Sequence, residues 1–180
     1  MPERIKSDDS KKIEIAIQNL FIQKGWTLST AESCTGGAIA ARLTKIPGAS
    51  QYFLGGVIAY SNLLKEKLLG VDKRIIASNG AVSEAAVIAM VSGALDVMGS
   101  DFAVAISGVA GPEGGYEDKP VGTVWIAVAQ WGQKIYSCKI QDSGNRNTII
   151  EQSVEAALNT LYDYAKRNVH TPLSTSLRGV

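Results

Sequence analysis

The sequence predicts an α/β fold in three layers, a mixed sheet covered by helices on both faces. Three observations lead there. Helical apolar stripes alternate with short β-branched runs, the last two runs are joined by a turn short enough for an antiparallel hairpin, and 180 residues with 46% hydrophobic side chains suffice for one core. No repeat or linker interrupts the pattern, so a single domain is expected over 1–168, with a polar tail at 1–9 and a C-terminal tail at 169–180.

The elements follow in order. Ile13, Ala16, Ile17, Leu20 and Phe21 recur at helical steps up to Gly25. Residues 26–30 read as a short strand, and Ala38 to Leu43 as a second helix stopped near Pro47 and Gly48. Residues 52–60 read as a strand in which Gly55 and Gly56 mark a bulge or a close backbone approach. A short helix is expected over 62–69 and a long one over 84–98 with Ser83 as N-cap. A buried strand at 102–106 leads into an irregular loop over 107–120. Strands at 121–130 and 134–141 then form the hairpin, and a last helix runs over 146–167.

Charge and composition exclude several classes. The 18 basic and 17 acidic side chains give a formal charge of +1, so neither nucleic acid nor an anionic membrane is an expected partner. The polar first dozen residues lack an apolar signal core and no apolar run can span a bilayer, which implies a cytoplasmic protein. Cys34 and Cys138 form no paired thiol motif and are expected to be free. The single histidine, His170, falls in the C-terminal tail. Imidazole-based triads and histidine metal centres are therefore not expected, and neither a metal nor a cofactor is.

Local chemistry centres on Ser33, read as lying where a strand turns into a helix, with helix-start N–H groups nearby for an oxyanion or a phosphate. On spacing alone, capping of the helix by Ser33 or Thr35 is the commoner role. Cys34 competes as nucleophile, since a helix start favours a thiolate, and residues adjacent on a helix point about 100° apart, so Ser33 and Cys34 are not expected to face one substrate together. Without imidazole, serine needs another base, and a desolvated lysine qualifies. Lys65 lies about one turn into a helix that follows Tyr60 at a strand end, although a solvated face shared with Glu66 and Lys67 is the commoner role. Ser107 and Gly108 begin a glycine-rich loop at a strand end, where α/β sheets bind ligands, and a plain flexible loop reads equally well. Arg146 suits a phosphate fork or an ordinary surface position.

Taken together, TAESCTGG at 30–37, AYSNLLK at 59–65, GAVSE at 80–84, and SGVAGPEGG with KPVGTVW up to Trp125 resemble the CinA C-terminal family. The likeness covers roughly residues 10 to 167 and implies that family's fold. The family includes stand-alone nicotinamide-mononucleotide amidohydrolases, which release ammonia and nicotinic acid mononucleotide without a metal, in pyridine-nucleotide recycling. The resemblance implies catalytic roles for Ser33, Tyr60 and Lys65. It implies ligand contacts at Gln51, Ser107 and Arg146, with the backbone of Thr35, Gly36 and Gly108 beside them. A small-molecule nucleotide is thus the expected partner, together with a second copy in a homodimer, for which Val57, Ile58 and Trp125 are candidates if exposed.

Two enzyme rivals fit less well. A penicillin-recognising hydrolase needs Lys at position 36, where this chain has Gly, and a short-chain dehydrogenase needs Tyr and Lys four apart, whereas Tyr60 and Lys65 are five apart. The rival from another class is a non-catalytic nucleotide-binding module linked to competence or DNA damage.

Overall fold

The computed structural model describes residues 12–168. Six helices are built on five strands: α1 Lys12–Lys24, β1 Leu28–Glu32, α2 Ala38–Thr44, β2 Phe53–Ile58, α3 Asn62–Leu69, α4 Lys73–Asn79, α5 Glu84–Met98, β3 Phe102–Gly108, β4 Thr123–Gln130, β5 Tyr136–Gln141 and α6 Arg146–Arg167. The sheet order is β2-β1-β3-β4-β5. β1 pairs parallel with β2 and with β3, and the last three strands pair antiparallel. This is the expected mixed sheet. The expected tails, and His170 with them, lie outside the described residues.

Alternation along the strands divides the interior in two. Phe102, Val104 and Ile106 of β3 and Val124, Ile126 and Val128 of β4 join Ile17, Phe21, Leu28 and Leu158 beneath α1, α2 and α6. The opposite face of the same strands presents Ala103, Ala105, Ala127 and Ala129 to Val87, Met90 and Val91 of α5. Small side chains there let α5 lie close over the sheet. Gly93 carries that approach further, because a Cβ on it would fall 1.9 Å from the Leu69 carbonyl oxygen at the end of α3. The helices of the second face, α3 and α4, pack against α5.

Several boundaries differ from expectation. β1 starts at Leu28 because the Asp101 carboxylate accepts from the Thr27 N–H at 2.7 Å and from its hydroxyl at 2.8 Å, anchoring the chain just before the strand. β3 extends to Gly108, so Ser107 and Gly108 pair with Trp125 and Val124 instead of opening the loop. The bulge expected at Gly55–Gly56 falls just before it, at Leu54, which the pairing skips, and the close approach falls at Gly56. The β1–β2 register shifts between Leu28 and Ser29, and a Cβ on Gly56 would meet Thr30 Oγ1 at 2.0 Å. Helix α4 was not expected. It buries no residue, so it carries no apolar stripe for a sequence to display, and Asp72 starts it by accepting from the Arg74 N–H at 2.8 Å.

Candidate active site

Strand β1 has β2 on one side and β3 on the other; the chain leaves β1 towards β2 and leaves β3 the opposite way, towards β4. Such a switch point, at the C-terminal ends of parallel strands, opens a crevice where α/β sheets hold ligands. Ser33 follows β1, and Ser107 and Gly108 end β3. There lies a cavity of about 200 Å³, bounded by Ser33, Cys34, Tyr60, Asn62, Lys65, Ser107, Gly108 and Arg146 among others.

The bend after β1 is organised by Glu32. Its buried carboxylate accepts from the Gly37, Ile39 and Ala40 N–H groups at 3.1, 3.0 and 2.9 Å and from the Thr35 hydroxyl at 2.7 Å. A carboxylate thus satisfies the exposed donors at the start of α2, a favourable place for negative charge. Two expectations are corrected. Neither Ser33 nor Thr35 caps the helix, and the N–H groups at the helix start are not available to an oxyanion. Ser33 does not adjoin the helix either, since Gly36 and Gly37, both at positive φ, prolong the bend until Ala38. The Gly36 N–H turns back onto the Ser33 carbonyl at 3.1 Å and that of Ala38 onto Thr35. In this bend the Thr35 N–H has no acceptor among the described residues.

With the helix served by Glu32, the Ser33 hydroxyl is left for another partner. Lys65 Nζ lies 3.0 Å from Ser33 Oγ and donates to the Ala59 carbonyl at 2.9 Å. The pair is enclosed, Ser33 being 8% exposed and Lys65 1%. Three constraints aim the lysine: Ser61 caps α3 by accepting from the Leu64 N–H, Gly70 closes that helix in a left-handed turn, and the Leu69 end abuts Gly93. Among the described residues no carboxylate pairs with its amine. Burial therefore lowers the Lys65 pKa from its usual 10.5. A counteracting influence from Cys34 would need a thiolate, and burial pushes that thiol up to about 12. Cys34 does bound the cavity together with Ser33, contrary to expectation, because both sit in an irregular bend and not on a helix. Its chemistry, not its direction, sets it apart: a thiol so raised is a poor source of thiolate near neutrality.

Tyr60 stands at the mouth, 59% exposed, and its hydroxyl accepts from Arg146 Nη2 at 3.0 Å. Arg146, the first residue of α6, also donates through Nη1 to the Gly111 carbonyl at 2.8 Å, which ties the loop after β3 to the same corner. Ser107 is buried, and its hydroxyl donates to the Ala81 carbonyl at 2.9 Å. A Cβ on Gly108 would fall 2.6 Å from Val124 Cγ2, so the position admits only glycine.

The structure thus brings together Ser33, Tyr60, Lys65, Ser107, Gly108 and Arg146. Thr35 and Gly36 lie in the bend behind the cavity wall. Gln51 is not brought in. It belongs to a 3-10 turn, Ala49–Gln51, that precedes β2, and parallel pairing sets the start of β2 beside Leu28, at the far end of β1 from Ser33. Sequence reasoning missed Glu32, Asn62, Ala81, Val82 and Ala110. All five fall within the motifs quoted above, Glu32 in TAESCTGG, Asn62 in AYSNLLK, Ala81 and Val82 in GAVSE and Ala110 in SGVAGPEGG, and that membership was their one visible sign.

The match to known proteins follows the same boundaries. The CinA C-terminal domain model matches residues 10–165. A CinA-like protein of Geobacter sulfurreducens is 45% identical over 158 residues, 87% of this chain and 38% of that protein. One from Geotalea uraniireducens is 50% identical over 123 residues, 68% of this chain and 29% of the relative. The chain spans well under half the length of these relatives. Among solved structures, the competence damage-inducible protein A of Klebsiella pneumoniae superposes with a TM-score of 0.84 at 36% identity, covering 91% of this chain and 99% of that one. The competence/damage inducible protein CihA of Agrobacterium tumefaciens gives 0.83 at 35%, covering 88% and 96%. Fold, motif order and matched length agree, and the chain belongs to the CinA C-terminal domain family.

Proposed function

We propose that the protein is a cytoplasmic amidohydrolase that converts nicotinamide mononucleotide and water to nicotinic acid mononucleotide and ammonia, with Ser33 as nucleophile and Lys65 as base. The carrying observation is the 3.0 Å contact between Ser33 Oγ and a buried Lys65 amine that has no acidic partner among the described residues. When that amine is uncharged, the hydrogen between the two atoms belongs to serine, and the lysine lone pair accepts it.

Each step balances. Ser33 Oγ forms a bond to the carboxamide carbon as its proton passes to Lys65 Nζ. The carbonyl oxygen, now negative, faces the main chain of the Ser33–Cys34 bend, which bounds the cavity. The C–N bond breaks, and the departing nitrogen takes the proton from Lys65 and leaves as ammonia. Water then attacks the ester, giving one proton to Lys65, the ester C–O bond breaks, and that proton returns to Ser33. Tyr60 and Arg146, joined at the mouth, orient the nucleotide over the Ser33–Lys65 pair. An uncharged lysine also spares the pyridinium ring of the substrate from a like charge.

The test is ammonia release by purified protein from nicotinamide mononucleotide, nicotinamide and nicotinamide riboside, with Ser33→Ala as control. Release from the nucleotide, lost in the variant, supports the reading. Binding of the nucleotide with no ammonia from the unmodified protein supports a non-catalytic module instead.

A further inference from the structure

The cavity at Ser33 is small for a nucleotide. At about 200 Å³ it falls below the roughly 300–1,000 Å³ of sites that enclose a small-molecule ligand. A second cavity, of about 450 Å³, shares Asn62, Ala81 and Val82 with it and continues to a far rim at Tyr116, Asp118 and Lys119. Adjoining the site, that second cavity has room for the other end of a ligand whose carboxamide meets Ser33.

Lys119 is held in a fixed place on that rim. Its backbone closes a tight hairpin with Tyr116, each N–H donating to the other's carbonyl at 3.0 and 3.1 Å. Its Nζ donates to the Asn79 carbonyl at 2.6 Å, at the C-terminus of α4, and stands 3.0 Å from where a Gly80 Cβ would be. An ammonium carries three donors, so two remain for an incoming anion. No ion pair joins it to Asp118 among the described residues. Arg146, by contrast, engages Gly111 and Tyr60 on the Ser33 side.

We infer that the second cavity receives the phosphate-bearing end of the substrate and that Lys119 meets the phosphate, making it the residue that sets preference for a nucleotide over its nucleoside. The inference rests on the amidohydrolase reading and deepens it. A purely structural Lys119, closing α4, would weaken turnover of both substrates alike.

The experiment compares kcat/KM for nicotinamide mononucleotide and nicotinamide riboside in the full chain and in Lys119→Met and Lys119→Arg. Loss of one charge-assisted hydrogen bond corresponds to about tenfold or more. The nucleotide-to-nucleoside ratio is expected to fall by that factor in Lys119→Met, through a raised KM for the nucleotide, and to be largely restored in Lys119→Arg. In the unmodified protein, inorganic phosphate should compete with the nucleotide but not with the riboside, a measurement that decides the matter even if the methionine variant fails to fold. An unchanged ratio, equal losses for both substrates, or phosphate competing equally with both overturns the assignment while leaving the amidohydrolase intact. No ammonia from either substrate in the unmodified protein overturns both.

Discussion

A lysine enclosed with a hydroxyl and a carbonyl, and without a carboxylate, makes its charged form costly in the native state. Because its native pKa lies below the usual 10.5, the unfolded chain binds more protons between those two values, and stability rises with pH across that window. Below the native value both states are charged and the full penalty is felt, and above 10.5 it vanishes. Urea unfolding of the wild type and Lys65→Met should therefore show the difference moving in favour of the wild type as the pH rises towards 10.5; a pH-independent difference contradicts the burial argument. The same variant should lose about 10²–10⁴ in kcat, the usual weight of a general base. Cys34, pushed up to about 12, should alkylate slowly at pH 8, and Cys34→Ala should retain ammonia release. Glu32→Gln would turn an amide N–H₂ towards donors that now meet a carboxylate, at a cost of about 1–3 kcal/mol seen in thermal or urea unfolding. Ser33 and Lys65 were legible through the motifs that resemble the family, since spacing alone favoured a helix cap for the one and a solvated helix face for the other. Glu32 was not, since nothing in a lone carboxylate at a strand end announces how many main-chain donors the following bend will turn towards it.

Helix α3 is the element on which the lysine depends. Its Leu69 end meets α5 at Gly93, where a methyl group would lie 1.9 Å from backbone oxygen, so Gly93→Ala must push the two helices apart. Overpacking of this kind costs about 1–3 kcal/mol. The variant should melt earlier and also lose kcat, because α3 carries Lys65 away from Ser33; full activity in a destabilised Gly93→Ala would show that the lysine is aimed by something else. The long elements were readable from their apolar periods, α6 over its whole length and α5 from its Ser83 cap. What stayed hidden was set by pairing and by contact between elements: α4 fully buries no residue and packs on the α5 cluster through half-buried Ile76, too little for an apolar period to show, and the distance of Gln51 from the cavity follows from the register of β2 on β1.

At the scale of the whole molecule, the two faces of the sheet divide the work. The face beneath α1, α2 and α6 holds the large side chains, while the alanine-rich face lets α5 settle close, bringing α3 and its lysine over the end of β1. The three-layer arrangement was readable because strand and helix periods alternate, whereas the crevice depended on sheet order. β2 is an edge strand that leaves Leu54 and Ile58 exposed, while Val57 and Trp125 pack half-buried against the α5 side. We propose that two β2 edges pair about a twofold axis, extending the sheet. Sedimentation should then give twice the 19.1 kDa chain mass, and Ile58→Lys should reduce it to one. The most direct test of the chemistry is intact-mass analysis of protein quenched during turnover of nicotinamide mononucleotide. An acyl adduct on the peptide bearing Ser33, absent in Ser33→Ala and formed far more slowly in Lys65→Met, is the predicted result; ammonia release that continues in Ser33→Ala with no adduct would contradict it.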